Sequence, residues 1–168
     1  MTAALIVLLL VAAERLGELV LSHYNTTRLL AAGAHEIGAG HYPLIVAVHT
    51  GWLAALFTWN GFYPAPINLT WLLVYVAIQL PRVWVMASLG RFWTTRIITV
   101  PDAPLVRRGP YKYLRHPNYV IVVLEIAILP LVFDAWPVAV VFSLLNAAML
   151  WVRITTENAA LAPRQGSP

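Results

Sequence analysis

Residues 118–155 read NYVIVVLEIAILPLVFDAWPVAVVFSLLNAAMLWVRIT, and the charged side chains among them are Glu125, Asp134 and Arg153 alone. Two apolar runs flank Asp134-Ala135-Trp136-Pro137, a turn-like break, so the stretch predicts helices over about 118–133 and 138–155 folded as a tight hairpin. Crossing about 30 Å of hydrocarbon at 1.5 Å per residue takes roughly 20 apolar residues. The first arm falls short of that length and the second comes near it.

Working outward, three further runs at 2–21, 43–60 and 68–89 approach the same length. The chain as a whole is 60% hydrophobic and 11% charged, with a mean hydropathy of +0.73. A soluble domain carries roughly a quarter charged residues. The expectation is therefore an all-α, polytopic integral membrane protein of about five transmembrane helices. It is read as one membrane domain over 1–168: three N-terminal spans within 2–89, a loop at 90–117, the hairpin at 118–155 and a tail at 156–168. The apolar start lacks a basic leader and a small-residue cleavage site before Glu14 and Arg15, and it reads as a mature helix.

No cysteine is present, which excludes disulfides, thiolate metal sites and cysteine nucleophiles. Eleven basic and seven acidic residues give a net charge of +4. Arg28 follows the first run; Arg91, Arg96, Arg107, Arg108, Lys112 and Arg115 separate the third from the fourth; Arg153 and Arg164 end the chain. Basic residues near span ends stay cytoplasmic. Five crossings with the N-terminus outside and the C-terminus in the cytoplasm put all of these on one side. Membrane lipids are the expected surroundings, and no nucleic-acid partner is expected.

Charges inside spans cost roughly 2.5–3.5 kcal/mol each at a helix centre on insertion scales, so each asks for a reason. Glu14 and Glu18 share a face of the first helix, with Arg15 beside them. They serve either an internal salt bridge to Arg15 or Arg82, or a face lining a substrate or cofactor cavity. Glu125 sits mid-helix, and Asn146, Arg153 and Glu157 return to nearly one face of the last helix at offsets of seven and eleven. Asn146 suits a bond to a neighbouring helix, and Arg153 with Glu157 suits a helix-end ion pair worth a few tenths of a kcal/mol.

The segment 109–119, G-P-Y-K-Y-L-R-H-P-N-Y, is basic, aromatic and leads into the fourth helix. Pro117 suits a first helical turn, whose free backbone N–H groups can hold an anionic group. The same composition also suits anchoring to acidic lipid heads.

Leu105-Val106, Gly109-Pro110-Tyr111, Arg115-His116-Pro117 and Tyr119, followed after the hairpin by Arg153 and Glu157, resemble the isoprenylcysteine carboxyl methyltransferase family. The resemblance covers about 105–161. It implies an S-adenosylmethionine-dependent methyltransferase with a cytoplasmic cofactor pocket walled by the hairpin and its preceding loop, and a lipophilic acceptor entering from the bilayer. Carried over by position, Leu105 and Val106 meet the adenine, while His116, Tyr119, Arg153 and Glu157 hold the methionine and ribose ends. Gly109, Tyr111, Arg115 and Pro117 shape the pocket. The family usually has a second acid after Glu157, where this chain has Asn158. The N-terminal half resembles short bacterial members associated with type III polyketide synthases, which implies O-methylation of an alkylpyrone, an alkylresorcinol or a similar polyketide. A prenylcysteine-like carboxylate is the alternative.

A phenolic acceptor would profit from a base, for which Glu125, Glu14, Glu18, His41 and His49 are candidates. Glu125 is the first choice and Arg153 its catalytic companion, with Glu14, Glu18 and Asn146 expected at the substrate pocket. No metal site is expected, because His41 and His49 lack ligand spacing. A small transporter or scaffold subunit is the reading from another class. No inverted repeat or paired broken helix supports a transporter.

Overall fold

The computed structural model describes residues 3–101 and 106–161. Five helices carry the architecture: α1 (Ala3–Ala31), α2 (Tyr42–Phe62), α3 (Leu69–Leu89), α4 (Pro117–Val132) and α5 (Trp136–Leu161). Their positions follow the apolar runs, and the differences have local causes. α1 continues about ten residues beyond the expected end at 21, because nothing between Ser22 and Ala31 breaks a helix, and Gly33 at φ 86° ends the turn that follows. Asn68 caps α3 by accepting from the Trp71 N–H at 3.3 Å. Pro117 opens α4, where its missing N–H costs nothing. Asp134 takes a left-handed φ of 53° and reverses the chain in three residues, so α5 starts at Trp136, two residues earlier than expected.

Among the described residues, three helical stretches are long and apolar enough to cross a membrane: Ala39–Phe62, Leu69–Phe92 and Trp136–Ala160. α1 has the length but carries Glu14, Arg15 and Glu18, and α4 has only 16 residues.

α4 packs between α3 and α5, and α2 packs against both α5 and α1. The core where they meet contains Leu8, Trp52, Leu56, Leu129 and Phe133. Each of these side chains is removed from solvent, worth roughly 1.5–3 kcal/mol apiece in water; between apolar lipid and apolar protein the gain is close packing instead.

An all-helical chain was expected, and the structure adds one element outside that class. His35–Ile37 (β1) and Ile97–Thr99 (β2) form an antiparallel ribbon in the register His35 to Thr99, Glu36 to Ile98 and Ile37 to Ile97. Arg96 grips the Glu36 carboxylate at 2.8 and 2.9 Å and lies over the Tyr42 ring. Thr95 N–H donates to Ser22 Oγ at 2.8 Å, and Asn25 Nδ2 donates to the Trp93 carbonyl at 2.8 Å. The loops after α1 and α3 are thereby bound together at one end of the helices, beside the start of α4.

Candidate functional site

A cavity of about 580 Å³ opens at that end, within the size range of small-molecule sites. One wall comes from the α3 end and β2, including Phe92, Trp93, Ile97 and Ile98; the facing wall comes from 111–119 and the α5 residues Arg153 and Glu157. Of the residues expected to hold a cofactor, Val106, Tyr111, Arg115, His116, Tyr119, Arg153 and Glu157 line it. Leu105 lies outside the described residues. Gly109 and Pro117 stand behind the lining and shape it. Gly109 has φ 56°, and a Cβ there would lie 2.1 Å from Ser88 Oγ and 3.2 Å from Trp84 Nε1. Only glycine lets this turn press against α3. Arg108 fixes the same turn by donating from Nε to the Ser88 carbonyl at 2.6 Å.

Arg153 and Glu157 do not pair directly as the i, i+4 spacing suggested. Arg153 Nε donates to the Tyr119 hydroxyl at 2.8 Å, and that hydroxyl donates in turn to Glu157 Oε2. His116 stacks on Tyr119 with ring centroids 5.3 Å apart and places Nδ1 3.8 Å from Glu157. Its Nε2 faces Asn158 Oδ1 at 3.1 Å, the position at which the sequence lacks a second acid. Burial, reinforced by the Glu157 charge, pushes the Tyr111 hydroxyl well above its ordinary range and keeps it protonated.

The cavity is electropositive. Arg96, Arg107, Lys112, Arg115 and Arg153 line it against Glu157. Arg96 is neutralised by Glu36, whereas among the described residues no carboxylate pairs with Arg107, Lys112 or Arg115.

The other expected site residues lie elsewhere. Glu14, Glu18 and Glu125 meet in a separate cluster between α1, α3 and α4, and none of them lines the cavity. Arg82 donates to Glu18 through Nε and, at 2.6 Å, through Nη2. Its Nη1 reaches Glu125 Oε2 at 2.6 Å. Arg15 bonds both acids at 3.0 Å, and Gln79 Nε2 adds a third donor to Glu125 at 3.1 Å. The salt-bridge reading of Arg15 and Arg82 is thus realised with both arginines and both acids at once. Asn146, 2% exposed on α5, belongs to neither group. His49 bonds the Ile45 carbonyl of its own helix at 2.9 Å. No group of metal-binding side chains occurs among the described residues.

Sequence reasoning missed the wall contributed by 92–100, although Ile97-Ile98-Thr99-Val100 is a short β-branched run, which is a strand signal. It also missed Asn118, which lines the cavity and whose side-chain oxygen is buried with no partner among the described residues. Gln79 and Tyr75 went unnoticed too; they stand three and seven residues before Arg82 on one face of α3.

Residues 71–163 match the sequence model of the isoprenylcysteine carboxyl methyltransferase (ICMT) family. The chain is 37% identical over 151 residues to the uncharacterized protein YpbQ of Bacillus subtilis, covering 88% of this chain and 90% of that one. It is 29% identical over 157 residues to an uncharacterized protein of Haemophilus influenzae, with 89% and 90% covered. No solved structure matches.

Proposed function

The chain belongs to the isoprenylcysteine carboxyl methyltransferase family, and on that premise we propose that it is a membrane methyltransferase that moves a methyl group from S-adenosylmethionine to an oxygen of a lipophilic small molecule. The observation carrying this reading is convergence. Residues from 106 to 157, far apart in sequence and separated by a helical hairpin, line one cavity large enough for such a cofactor.

The donor set suits it. S-adenosylmethionine presents an ammonium, a carboxylate and a ribose diol. Glu157 can accept from the ammonium or the diol, Arg153 and His116 can face the carboxylate, and the Tyr119 hydroxyl keeps Arg153 and Glu157 apart yet fixed. When bound, the cofactor supplies a methyl group made electrophilic by its sulfonium, which an acceptor oxygen takes by in-line displacement. Alignment is then the main demand on the protein. Phe92, Trp93, Ile97 and Ile98 supply an apolar wall that excludes water. Arg153 acts in this scheme by orienting Glu157 through Tyr119. Glu125, whose oxygens accept from Arg15, Gln79 and Arg82, acts as a fixed charge behind the site.

We place the cavity on the cytoplasmic side, with the N-terminus outside and five crossings in which α1 and α4 join the three long apolar helices. The acceptor on this reading is an alkylpyrone, an alkylresorcinol or a similar polyketide. Carboxyl methylation of a prenylcysteine-like substrate is the second reading, favoured by Arg107, Lys112 and Arg115 around the cavity, which pair with no carboxylate among the described residues.

Calorimetry on the detergent-purified protein tests the cofactor. Micromolar binding of S-adenosylmethionine and S-adenosylhomocysteine is expected from wild type and is expected to be lost in Glu157→Ala. A folded wild type that binds neither sinks the reading in favour of a transporter or scaffold. Transfer of a radiolabelled methyl group into alkylpyrones, alkylresorcinols and prenylcysteines then ranks the acceptors.

A further inference from the structure

Cations outnumber anions around the cavity, and S-adenosylmethionine is itself a cation. Its sulfonium and ammonium stand against one carboxylate, which leaves one net positive charge, whereas S-adenosylhomocysteine has a thioether in place of the sulfonium and is neutral overall. Arg153 and Glu157 answer each other through Tyr119, and Arg96 is held by Glu36. Arg107, Lys112 and Arg115 remain, all three exposed and all three lining the cavity. Asp102, outside the described residues, answers at most one of them. At least two unanswered like charges therefore work against a cationic ligand at this place.

The turn that carries these cations lies against the end of a membrane-length helix. Gly109 presses on Ser88 and Trp84 of α3, and Arg108 holds the Ser88 carbonyl at 2.6 Å. Both contacts fall within about two helical turns of Phe92, where the apolar stretch Leu69–Phe92 ends. That is the level at which Trp and Tyr rings and the charged tips of Lys and Arg meet lipid headgroups. Trp84 is half exposed there. Tyr113, 75% exposed, and Leu114, 51% exposed, stand between Lys112 and Arg115, and Lys112 Nζ lies 5.7 Å from the Tyr113 ring centre. Apolar side chains displayed between cations suit a lipid surface of negative charge.

We propose that Arg107, Lys112 and Arg115 seat the phosphates of anionic phospholipids, with Tyr113 and Leu114 dipped among the acyl chains, and that the lipid charge is what opens the cavity to a cationic cofactor. Zwitterionic lipid also offers a phosphate, but its own ammonium cancels the charge the seat needs. Each Lys or Arg at such a surface is worth about fivefold in affinity. Residues 111–116 are at once cavity wall and lipid anchor, so seated lipid also steadies the wall. With lipid answering these cations, they cease to favour a carboxylate acceptor. The proposal rests on the reading that the cavity takes S-adenosylmethionine, and it adds the membrane partner on which that binding depends.

The full chain in nanodiscs of phosphatidylcholine alone, or with a third of the lipid replaced by phosphatidylglycerol, tests it by two readouts. By calorimetry, S-adenosylmethionine is expected to bind about fivefold or more tightly in the anionic discs, and S-adenosylhomocysteine to change by less than about twofold. By hydrogen–deuterium exchange without cofactor, the amides of 107–115 are expected to exchange about fivefold or more slowly in the anionic discs. The double variant Arg107→Gln, Lys112→Gln is expected to lose that slowing and, in phosphatidylcholine alone, to bind S-adenosylmethionine more tightly than wild type does, because the repulsion is gone. Inorganic phosphate added to phosphatidylcholine discs is expected to reproduce neither effect; if it does, the cations serve a soluble anion and the lipid seat is overturned. In wild type, an equal response of the two cofactor forms to lipid charge, or unchanged exchange, overturns the proposal whether or not the variant folds. Cofactor binding indifferent to lipid defeats the proposal and leaves the methyltransferase reading standing; slowed exchange in discs where neither cofactor form binds sinks that reading and keeps the lipid seat.

Discussion

The hydroxyl of Tyr119 on α4 donates to the carboxylate of Glu157 on α5, so the two arms of the hairpin meet at the cavity through one hydrogen bond. The same oxygen accepts from Arg153 Nε, which makes one phenol the joint between a cation and an anion four residues apart on α5.

Tyr119→Phe removes that joint and keeps the ring against His116. Hydrogen bonds to charged groups contribute about 1.5–3 kcal/mol each. S-adenosylhomocysteine affinity is therefore expected to fall about tenfold or more by calorimetry, with the melting temperature little changed. An affinity within twofold of wild type would show that Glu157 is oriented by something else.

Arg82→Leu leaves Glu18 and Glu125 short of three donors inside the bundle. Breaking one side of a buried ion pair costs about 3–5 kcal/mol. The variant is expected to melt well below wild type in fluorescence-monitored unfolding. Glu36→Gln is the contrast: it breaks only the Arg96 pair in the ribbon, where both side chains are partly exposed, and costs about 1 kcal/mol or less.

Gly109→Ala forces a side chain into a left-handed turn, at about 1–2 kcal/mol, and sets its Cβ against Ser88 and Trp84. The turn must lift off α3, which displaces Tyr111 from the cavity wall. Cofactor affinity is expected to fall, and a second change, Ser88→Ala, to restore part of it by removing the nearer clash. No recovery in the double variant would mean that the φ strain alone is decisive.

Burial holds the Tyr111 proton more tightly in the folded protein than in the unfolded chain, where a tyrosine titrates near pH 10. The unfolded chain therefore releases this proton first as pH rises, and the stability that Tyr111 contributes is whole below about pH 10 and declines above it. Tyr111→Phe is expected to flatten the fall in melting temperature between pH 10 and 11.5. An identical alkaline slope in both proteins would place the Tyr111 hydroxyl in water.

The helices were legible because apolar runs of span length are the simplest pattern a sequence can carry, and Asp134-Ala135-Trp136-Pro137 marked the hairpin within two residues. The end of α1 was not legible, since Ser22 and Asn25 look like loop residues until their partners Thr95 and Trp93 are known. The ribbon was hidden for a related reason. Three-residue strands have no period to read, and β1 and β2 gain meaning only from each other. At the site, 106–119 announced itself through glycine, proline and aromatic spacing. Glu125 was visible as a charge out of place, but its distance from the cavity depends on how α3 packs against α4. No local pattern encodes that.

The ribbon also bears on how the protein is made. β1 and β2 lie about 60 residues apart, with two helices between them. A ribosome adding about 5–20 residues per second leaves the first strand waiting on the order of several seconds for its mate. The end of the bundle that carries the cavity is therefore finished last, after α2 and α3 have already been threaded. A chain cut in the loop between α2 and α3 would be left with two halves joined by the ribbon, by the packing of α2 on α5 and by the ion pairs of Arg15 and Glu18 with Glu125 and Arg82. Co-production of those halves would reveal whether that seam is enough for them to find each other.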